Sequence, residues 1–198
     1  MNPQSPERQL ILASSSPYRR DLLARLRIPF TCEAPRADET PRPDEKAAEL
    51  TLRLALAKAG NIAGKYPAAV VIGCDQVAEL DGLIIGKPGS RDRAVAQLMR
   101  FSGRKVDFHT AVAVICRDSG LQHTSQVSTG VNYRELTEDE ARRYVALDCP
   151  VDCAGSIKSE AAGPALLKSI ESPDPTALIG LPLIHVAGAL RLAGFQLP

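Results

Sequence analysis

The chain has 198 residues, of which 24 are basic and 23 acidic, so its net charge of +1 gives no overall attraction to nucleic acid or anionic membranes. Aromatic residues make up 4% of the sequence and tryptophan is absent, which argues against a base-stacking surface for single-stranded nucleic acid. Hydrophobic residues make up 44%, enough for a sizeable core without disulfide bonds.

The first half of the sequence alternates short apolar runs with helical patterns and turns. Its predicted elements are, in chain order, a strand at 9–12, a helix at 17–27, a strand at 29–33, a loop at 34–43, a helix at 44–63 and a strand at 69–74. Ser16 is suited to cap the first helix, with Pro17 at its first position. Asp44 is the predicted cap of the second helix. The wholly apolar run at 69–74 is typical of a strand buried on both faces, as in a parallel sheet.

The second half begins with a hairpin signal, Asp81-Gly82, between two apolar runs. Its further predicted elements are a helix at 90–101, two long strands at 105–116 and 121–134, a helix at 137–147 and a helix at 182–192. Thr137 and Glu140 form a capping-box pattern at the start of the helix at 137–147. Because strands and helices mix throughout, we expect an α/β fold in which residues 1–198 form one domain, with two lobes around a cleft.

The five cysteines occupy no zinc-finger spacing with the three histidines, and Cys149 and Cys153 do not form a CxxC pair. We interpret all five as buried free thiols in a reducing compartment, in preference to metal ligands. The polar first residues do not resemble a secretory signal, and no apolar run is long enough to span a membrane. We therefore expect a soluble cytoplasmic protein with no membrane partner and no nucleic-acid partner.

The stretch "ASSSPYRRDLL" places three serines and two arginines at a turn from strand to helix. Backbone N–H groups at a helix start lack partners, and the helix dipole adds partial positive charge, so such a turn favours an anion. Ser14, Ser15 and Ser16 add hydroxyl donors, and Arg19 and Arg20 can donate in pairs to phosphate oxygens. The alternative is ordinary helix capping with two solvated arginines.

A second group of charged residues is spread over the first half of the chain. Asp75 follows an apolar run, where open α/β sheets commonly bind ligands, and Lys87 lies between a strand end and a Gly/Pro turn. Glu39 lies in a proline-rich loop, and Lys58 lies among small and apolar residues of a helix. Together with a phosphate-binding turn, these groups indicate attack of water on a phosphoanhydride, assisted by Mg²⁺ or Mn²⁺. Taken singly, each could instead be a turn residue or a solvated charge.

Six motifs of this sequence, in order and spacing, resemble those of the Maf family of nucleoside triphosphate pyrophosphatases. They are "LILASSSPYRRDLL", "ADETP", "IGCDQV", "GKP", "HTAVAV" and "CAGSIKSE", and the resemblance runs from Leu10 to Leu192. It is closest to the YceF-type branch, whose members are 7-methyl-GTP pyrophosphatases. The resemblance implies an α/β fold with a central cleft, a divalent metal cofactor, and hydrolysis between the α and β phosphates. It also implies a housecleaning role in nucleotide metabolism.

By position in these motifs, Asp75 matches the family's proton acceptor, which would activate water. The remaining polar cleft positions of the family are matched by Ser14, Arg19, Glu39, Lys58 and Lys87. We assign Ser14 and Arg19 to substrate phosphate and Lys58 and Lys87 to charge stabilisation. Glu39 and Asp75 are the predicted metal ligands.

The resemblance also ties Tyr18, Gln76 and Glu160 to substrate choice and adds Lys158 to the substrate-binding residues. Methylation at N7 makes guanine cationic, and the aromatic face of Tyr18 attracts a cation by about 0.5–2 kcal/mol. Ionised Glu160 accepts hydrogen bonds, and guanine offers two adjacent donors, N1–H and N2–H. The sequence departs from the YceF-type pattern in having Tyr18 where that pattern has Trp, and Ile157 where it has Phe.

Two alternatives stay open at this point. One is a Maf-type pyrophosphatase for other modified or canonical nucleotides. The other is a non-catalytic nucleotide-binding regulator of cell division, which the presence of Asp75 disfavours. The sequence does not set the oligomeric state, so a homodimer also stays open.

Overall fold

The computed structural model describes residues 8–198, which form a seven-stranded mixed sheet with five α-helices packed around it. The prediction that the first residues form no secretory signal falls on residues 1–7, which lie outside this described part. The strands are β1 (Leu10–Ala13), β2 (Thr31–Cys32), β3 (Val70–Leu80), β4 (Leu83–Ile85), β5 (Lys105–Cys116), β6 (Leu121–Tyr133) and β7 (Leu167–Glu171). The helices are α1 (Pro17–Ala24), α2 (Ala47–Ala63), α3 (Arg91–Phe101), α4 (Glu138–Asp148) and α5 (Leu183–Leu192).

The sheet has the strand order β2-β1-β3-β5-β6-β7, with β4 paired to β3 outside this path. Strand β1 runs parallel to β2 and β3, whereas all pairings of β4, β5, β6 and β7 are antiparallel. The predicted α/β class with a mixed sheet flanked by helices is therefore confirmed. The single-domain interpretation and the division into two lobes stay predictions.

Side-chain alternation along β1 shows how the helices cover the sheet. Leu10 and Leu12 pack in a cluster with α1 and α5, whereas Ile11 and Ala13 pack in a cluster with α2. Because successive side chains of a strand point to opposite faces, α2 covers one face and α1 and α5 cover the other. A third cluster joins α3 and α4 to the end of β3 and to β5 and β6.

The register between β1 and β3 determines where the sheet opens. Ala13 pairs with Gly73, and β1 ends there, whereas β3 continues to Leu80 along its antiparallel partner β5. Asp75 thus lies in the middle of an eleven-residue strand, and the prediction that it follows the strand's end was wrong. The pairing of β3 with β5 keeps the chain extended through its polar residues Asp75 and Gln76.

Several local predictions are confirmed. Ser16 caps α1 and accepts a hydrogen bond from the Arg19 amide, with Pro17 at the first helical position. The Asp81-Gly82 turn joins β3 to β4 as a hairpin, and α4 begins with the predicted capping box of Thr137 and Glu140.

Other boundaries differ from the predictions. Helix α2 begins at Ala47 and not at residue 44, because Asp44 has a left-handed φ of 58° and the N-cap is Lys46. The strand predicted at 29–33 is reduced to β2, helix α1 ends three residues before 27, and β7 was not predicted. All five cysteines are free, as predicted, but only Cys74 and Cys116 are buried; Cys149 and Cys153 are partly buried and Cys32 is exposed.

Within residues 8–198, the helices lack the combination of length and hydropathy that crossing a membrane requires.

Candidate active site

The ammonium of Lys58 lies between two carboxylates. Its Nζ donates to Asp75 Oδ1 at 2.7 Å, and Glu39 Oε1 lies at the same distance of 2.7 Å. The Lys58 and Asp75 side chains are only 8% and 10% exposed, whereas that of Glu39 is 62% exposed. Buried charges such as those of Lys58 and Asp75 persist in a fold only when they are paired. The structure thus brings together three of the predicted site residues as one charged group.

Two further predicted residues, Lys87 and Arg19, act on this group through their charges. Partial burial raises the pKa of the Glu39 carboxyl, but the hydrogen bond and charge of Lys58, with the charges of Lys87 and Arg19, lower it more. The net result is a pKa below the ordinary value, so Glu39 is ionised at neutral pH. Lys87 follows β4 and is exposed, which places its ammonium at the rim of the site.

Helix α2 approaches β3 closely enough for Lys58 to reach Asp75 because residue 73 is glycine. A Cβ atom at Gly73 would lie 2.3 Å from the carbonyl oxygen of Ala55 and 2.5 Å from the nitrogen of Ala59. Distances below 3.0 Å are essentially never seen for real Cβ atoms. The missing side chain two residues before Asp75 therefore sets the separation between the helix and the strand.

The serine–arginine turn lies beside the same strand. The Ser14 hydroxyl accepts from the Ser16 amide at 3.1 Å, and the Arg19 Nε donates to the Gly180 carbonyl at 2.9 Å. The thiol of Cys74 donates to that same carbonyl at 3.0 Å, and burial raises its pKa to about 11, so it stays protonated. Arg19 is thereby held next to Cys74, the residue preceding Asp75.

Tyr18, which is tied to substrate choice, lies beside Lys158, another predicted substrate-binding residue. The Tyr18 hydroxyl donates to the Asp152 carboxylate at 3.3 and 3.4 Å, and Lys158 Nζ lies 5.5 Å from the centre of the Tyr18 ring. Burial, followed by the neighbouring Cys153 and Asp152, raises the pKa of Tyr18, so its phenol remains a donor. Lys158 Nζ also donates to the carbonyl of Asp148 at 2.8 Å, which fixes its position.

The other two residues predicted to take part in substrate choice, Gln76 and Glu160, have different surroundings. The amide nitrogen of Gln76 donates to the carbonyls of Ala177 and Leu178 at 2.7 and 3.1 Å, and to the Thr110 hydroxyl at 3.0 Å. The Gln76 amide nitrogen therefore holds the turn at 177–180, and the side-chain oxygen is the remaining polar atom of Gln76. Glu160 lies exposed in the turn that follows Lys158.

Sequence reasoning missed Asp174, whose carboxylate is fully buried. Its oxygens accept from the Thr176 amide and hydroxyl at 3.1 and 2.7 Å and from the Ile184 amide at 2.9 Å, and the His185 ring lies at 3.3 Å. These bonds join the start of α5 to the turn whose carbonyls hold Arg19 and Gln76. The "SPDPT" stretch is a signal that could have identified it, because Asp two residues before Thr is typical of a side chain that bonds nearby backbone amides.

Two cavities of about 490 Å³ each lie at the opposite end of the sheet, around Arg8 and Cys116 and around Gly60 and Arg117. Neither is lined by the charged residues described above. The candidate site is therefore identified by convergent charges and not by cavity volume.

The donor set fits a divalent cation of the Mg²⁺ class. Glu39 and Asp75 present carboxylate oxygens to one point, which the Lys58 ammonium shares. In residues 8–198 no group of three or more His, Cys, Asp and Glu side chains is placed to hold a metal. Mg²⁺ usually binds through one or two carboxylates together with substrate phosphates and water, so two ligands suffice for such a site.

Comparisons with known proteins identify the family of the chain. The 7-methyl-GTP pyrophosphatase of Albidiferax ferrireducens is 51% identical over 190 residues, covering 96% of each chain. That of Burkholderia pseudomallei strain K96243 is 53% identical over 196 residues, covering 98% of this chain and 91% of its own. Among solved structures, the Staphylococcus aureus Ham1 protein covers 79% of this chain and 90% of its own, with a TM-score of 0.49 at 12% identity, a likeness too remote to bear on function. Residues 9–193 match the family described as "Maf-like protein", so the chain belongs to that family and the resemblance of its motifs is confirmed.

Proposed function

We propose that this protein is a nucleoside triphosphate pyrophosphatase that hydrolyses the α–β phosphoanhydride of 7-methyl-GTP to 7-methyl-GMP and pyrophosphate. The observation that carries the proposal is the buried Lys58 ammonium between Glu39 and Asp75, 2.7 Å from an oxygen of each. The relatives named 7-methyl-GTP pyrophosphatase support the substrate, since they are about half identical over nearly the whole chain.

Asp75 is the proposed general base. Its carboxylate is buried, and the hydrogen bond from Lys58 orients one oxygen, which leaves the other to accept the proton of a water molecule. Attack of that water forms a new P–O bond, the α–β bridging P–O bond breaks, and pyrophosphate leaves. Positioned proton transfer of this kind contributes about a hundredfold or more to a rate.

The cationic residues stabilise the negative charge of the triphosphate. Arg19 has further guanidinium donors besides the Nε that Gly180 holds, and Lys87 adds an ammonium at the rim. The Ser14 hydroxyl accepts from an amide and so retains its own proton for a phosphate oxygen. Mg²⁺ or Mn²⁺ held by Glu39 and Asp75 would act as a Lewis acid on the phosphate oxygens.

The free state of all five cysteines supports a reducing compartment, and we place the reaction in the cytoplasm.

The test is pyrophosphate release from 7-methyl-GTP, GTP, UTP, dTTP and CTP, with wild type compared with Asp75→Asn. We expect 7-methyl-GTP to be the best substrate and the variant to lose about a hundredfold or more in kcat. Asp118→Asn is the matched control, because Asp118 is exposed in the turn between β5 and β6, and it should retain the wild-type rate. Equal rates for wild type and Asp75→Asn would remove Asp75 from the mechanism. Nucleotide binding by wild type without turnover would instead favour the regulator.

Base selection is tested by Glu160→Gln. Replacing a charged acceptor by an amide removes one of two hydrogen bonds to the guanine edge, and bonds to charged groups are worth about 1.5–3 kcal/mol. We therefore expect the ratio of kcat/KM for 7-methyl-GTP over UTP to fall about tenfold or more. An unchanged ratio would leave Glu160 with no part in base choice.

A further inference from the structure

The loop that carries Glu39 runs from β2 to α2 and is exposed along most of its length. The hydrogen bonds next to Glu39 are local: the Thr40 amide donates to Asp38 Oδ1 at 3.0 Å, and the Arg42 amide donates to Glu45 Oε2 at 3.0 Å. Nearer the start of the loop, the Arg36 amide donates to the side chain of Asn61 on α2 at 2.9 Å. These bonds leave the carbonyls of the two residues that flank Glu39 to a separate contact.

Arg53 of α2 supplies that contact. Its guanidinium donates to the carbonyl of Thr40 at 3.0 Å and, over a longer distance of 3.4 Å, to that of Asp38. These are the two residues that flank Glu39 in the chain. The same guanidinium donates to both oxygens of the Glu45 carboxylate, at 2.6 and 2.7 Å, and its side chain is only 21% exposed.

The position of Arg53 on α2 links this contact to the site. Arg53 precedes Lys58 by five residues, about 7.5 Å along the helix axis. One helix thus provides both the ammonium that meets the Glu39 carboxylate and the guanidinium that holds the backbone on either side of Glu39. Glu39 itself is largely exposed, so little else restrains its side chain.

We propose that Arg53 is a positioning residue that sets the place of Glu39 relative to Asp75, and thereby the affinity of the site for its divalent cation and triphosphate. This inference rests on the proposed function. Arginine suits the task because its planar fork of five donors serves a carboxylate and two carbonyls at once, whereas lysine offers three donors from one atom. The competing interpretation is that Arg53 and Glu45 form an ion pair that only stabilises the fold.

The first experiment compares Arg53→Lys with wild type in the Mg²⁺ dependence of pyrophosphate release from 7-methyl-GTP. We expect the Mg²⁺ concentration for half-maximal rate to rise about tenfold to a hundredfold, the usual effect of losing a group that orients a metal ligand. Arg142→Lys is the control, because Arg142 pairs with Glu138 on the exposed side of α4, and it should behave as wild type. An unchanged Mg²⁺ dependence would overturn the proposal, whether or not the Tm of Arg53→Lys is lowered.

A double-mutant cycle separates positioning from general stabilisation. If Arg53 acts through Glu39, Arg53→Lys should raise the required Mg²⁺ concentration in wild type and have little further effect on a Glu39→Gln protein. If Arg53 only stabilises the fold, its effect should be the same in both backgrounds. Equal effects would therefore contradict the proposal.

A binding measurement keeps the inference distinct from catalysis. Calorimetry would follow Mn²⁺ binding in the presence of a 7-methyl-GTP analogue with a methylene group bridging the α and β phosphorus atoms. We expect Arg53→Lys to weaken Mn²⁺ binding by about tenfold to a hundredfold. A wild-type protein that shows this binding but no turnover would refute the proposed function and leave the role of Arg53 supported. Equal Mn²⁺ affinity in the two proteins, or no binding by wild type, would refute the role of Arg53.

Discussion

Replacing Gly73 by alanine tests how the fold places Lys58 next to Asp75. The added Cβ would lie 2.3 Å from the Ala55 carbonyl oxygen, 2.5 Å from the Ala59 nitrogen and 2.9 Å from the Ala59 Cβ. Two of these three atoms belong to the backbone of α2, so no side-chain rotation can relieve the clash. The helix must move away from β3 as a unit.

The size of this movement follows from ordinary contact distances. Restoring van der Waals separation at the closest atom requires a shift on the order of 1 Å. Overpacking of a well-filled core usually costs about 1–3 kcal/mol, and a backbone clash should lie at the upper end of that range. Since α2 also carries Lys58, the 2.7 Å bond from Nζ to Asp75 would lengthen to about 3.7 Å, beyond hydrogen-bonding distance. A misplacement of about 1 Å in a catalytic group can reduce a rate about a hundredfold.

Two assays measure these effects. Urea unfolding should show a loss of about 3 kcal/mol, which corresponds to a Tm lower by about 6–12 °C for a chain of this size. Pyrophosphate release from 7-methyl-GTP, measured well below the new Tm, should fall about a hundredfold. Gly60→Ala is the matched control. Gly60 lies near the C-terminal end of α2, and a Cβ atom there would meet no other atom within 4 Å. That variant should keep its activity and gain about 0.5–1 kcal/mol in stability.

The reasoning would be refuted if Gly73→Ala were as stable and as active as Gly60→Ala. A stable but inactive Gly73→Ala protein would have a different meaning. It would show that α2 moves away from β3 at little cost in stability and that the rate depends on the separation between the helix and the strand.

Two further predictions concern charged residues outside the reacting group. The hydrogen bond from Arg53 lowers the pKa of Glu45 from 4.5 to about 2, so this carboxylate stabilises the fold fully above pH 4.5 and loses that effect as the pH falls through 2. In urea unfolding, Glu45→Gln should therefore be less stable than wild type at pH 7, by a margin that narrows below pH 4.5; a margin independent of pH would exclude the charge as its cause. Asp174→Ala should lower the free energy of unfolding by about 3 kcal/mol, because it leaves the partly buried Thr176 amide and hydroxyl and the Ile184 amide without their acceptor. A loss below about 1 kcal/mol in the same assay would mean that water replaces the carboxylate.

Local rules of sequence predicted the parts of the fold that depend on neighbours in the chain. The Ser16 cap, the Asp81-Gly82 hairpin and the capping box at Thr137 each involve residues within four positions of one another. The prediction of Asp44 as the cap of α2 was wrong, although it also concerned near neighbours in the chain. The Lys46 amide finds an acceptor in the Glu49 side chain, and the helix starts at Ala47.

The features that sequence could not predict depend on partners distant in the chain. Strand β3 continues beyond Asp75 only because β5 pairs with it as far as Glu79 and Asp107. Strand β7 has four exposed residues out of five, so it presents no apolar alternation to recognise. The motifs did indicate Glu39, Lys58 and Asp75, but the distances between them are a property of the fold alone.

The unequal lengths of β1 and β3 explain why residues from both faces of the sheet meet at one place. Strand β1 stops at Ala13, opposite Gly73, and β4 joins the same edge of β3 only at Ala78. Between these points, residues 74–77 have no ladder partner on that edge among the strands of residues 8–198. Asp75 points to the face of the sheet that α2 covers, whereas Arg19 belongs to α1, which packs on the other face. Under the proposed function, a triphosphate lying across this open edge would reach both residues without passing through the sheet, and the shortness of β1 would then be a requirement of the site.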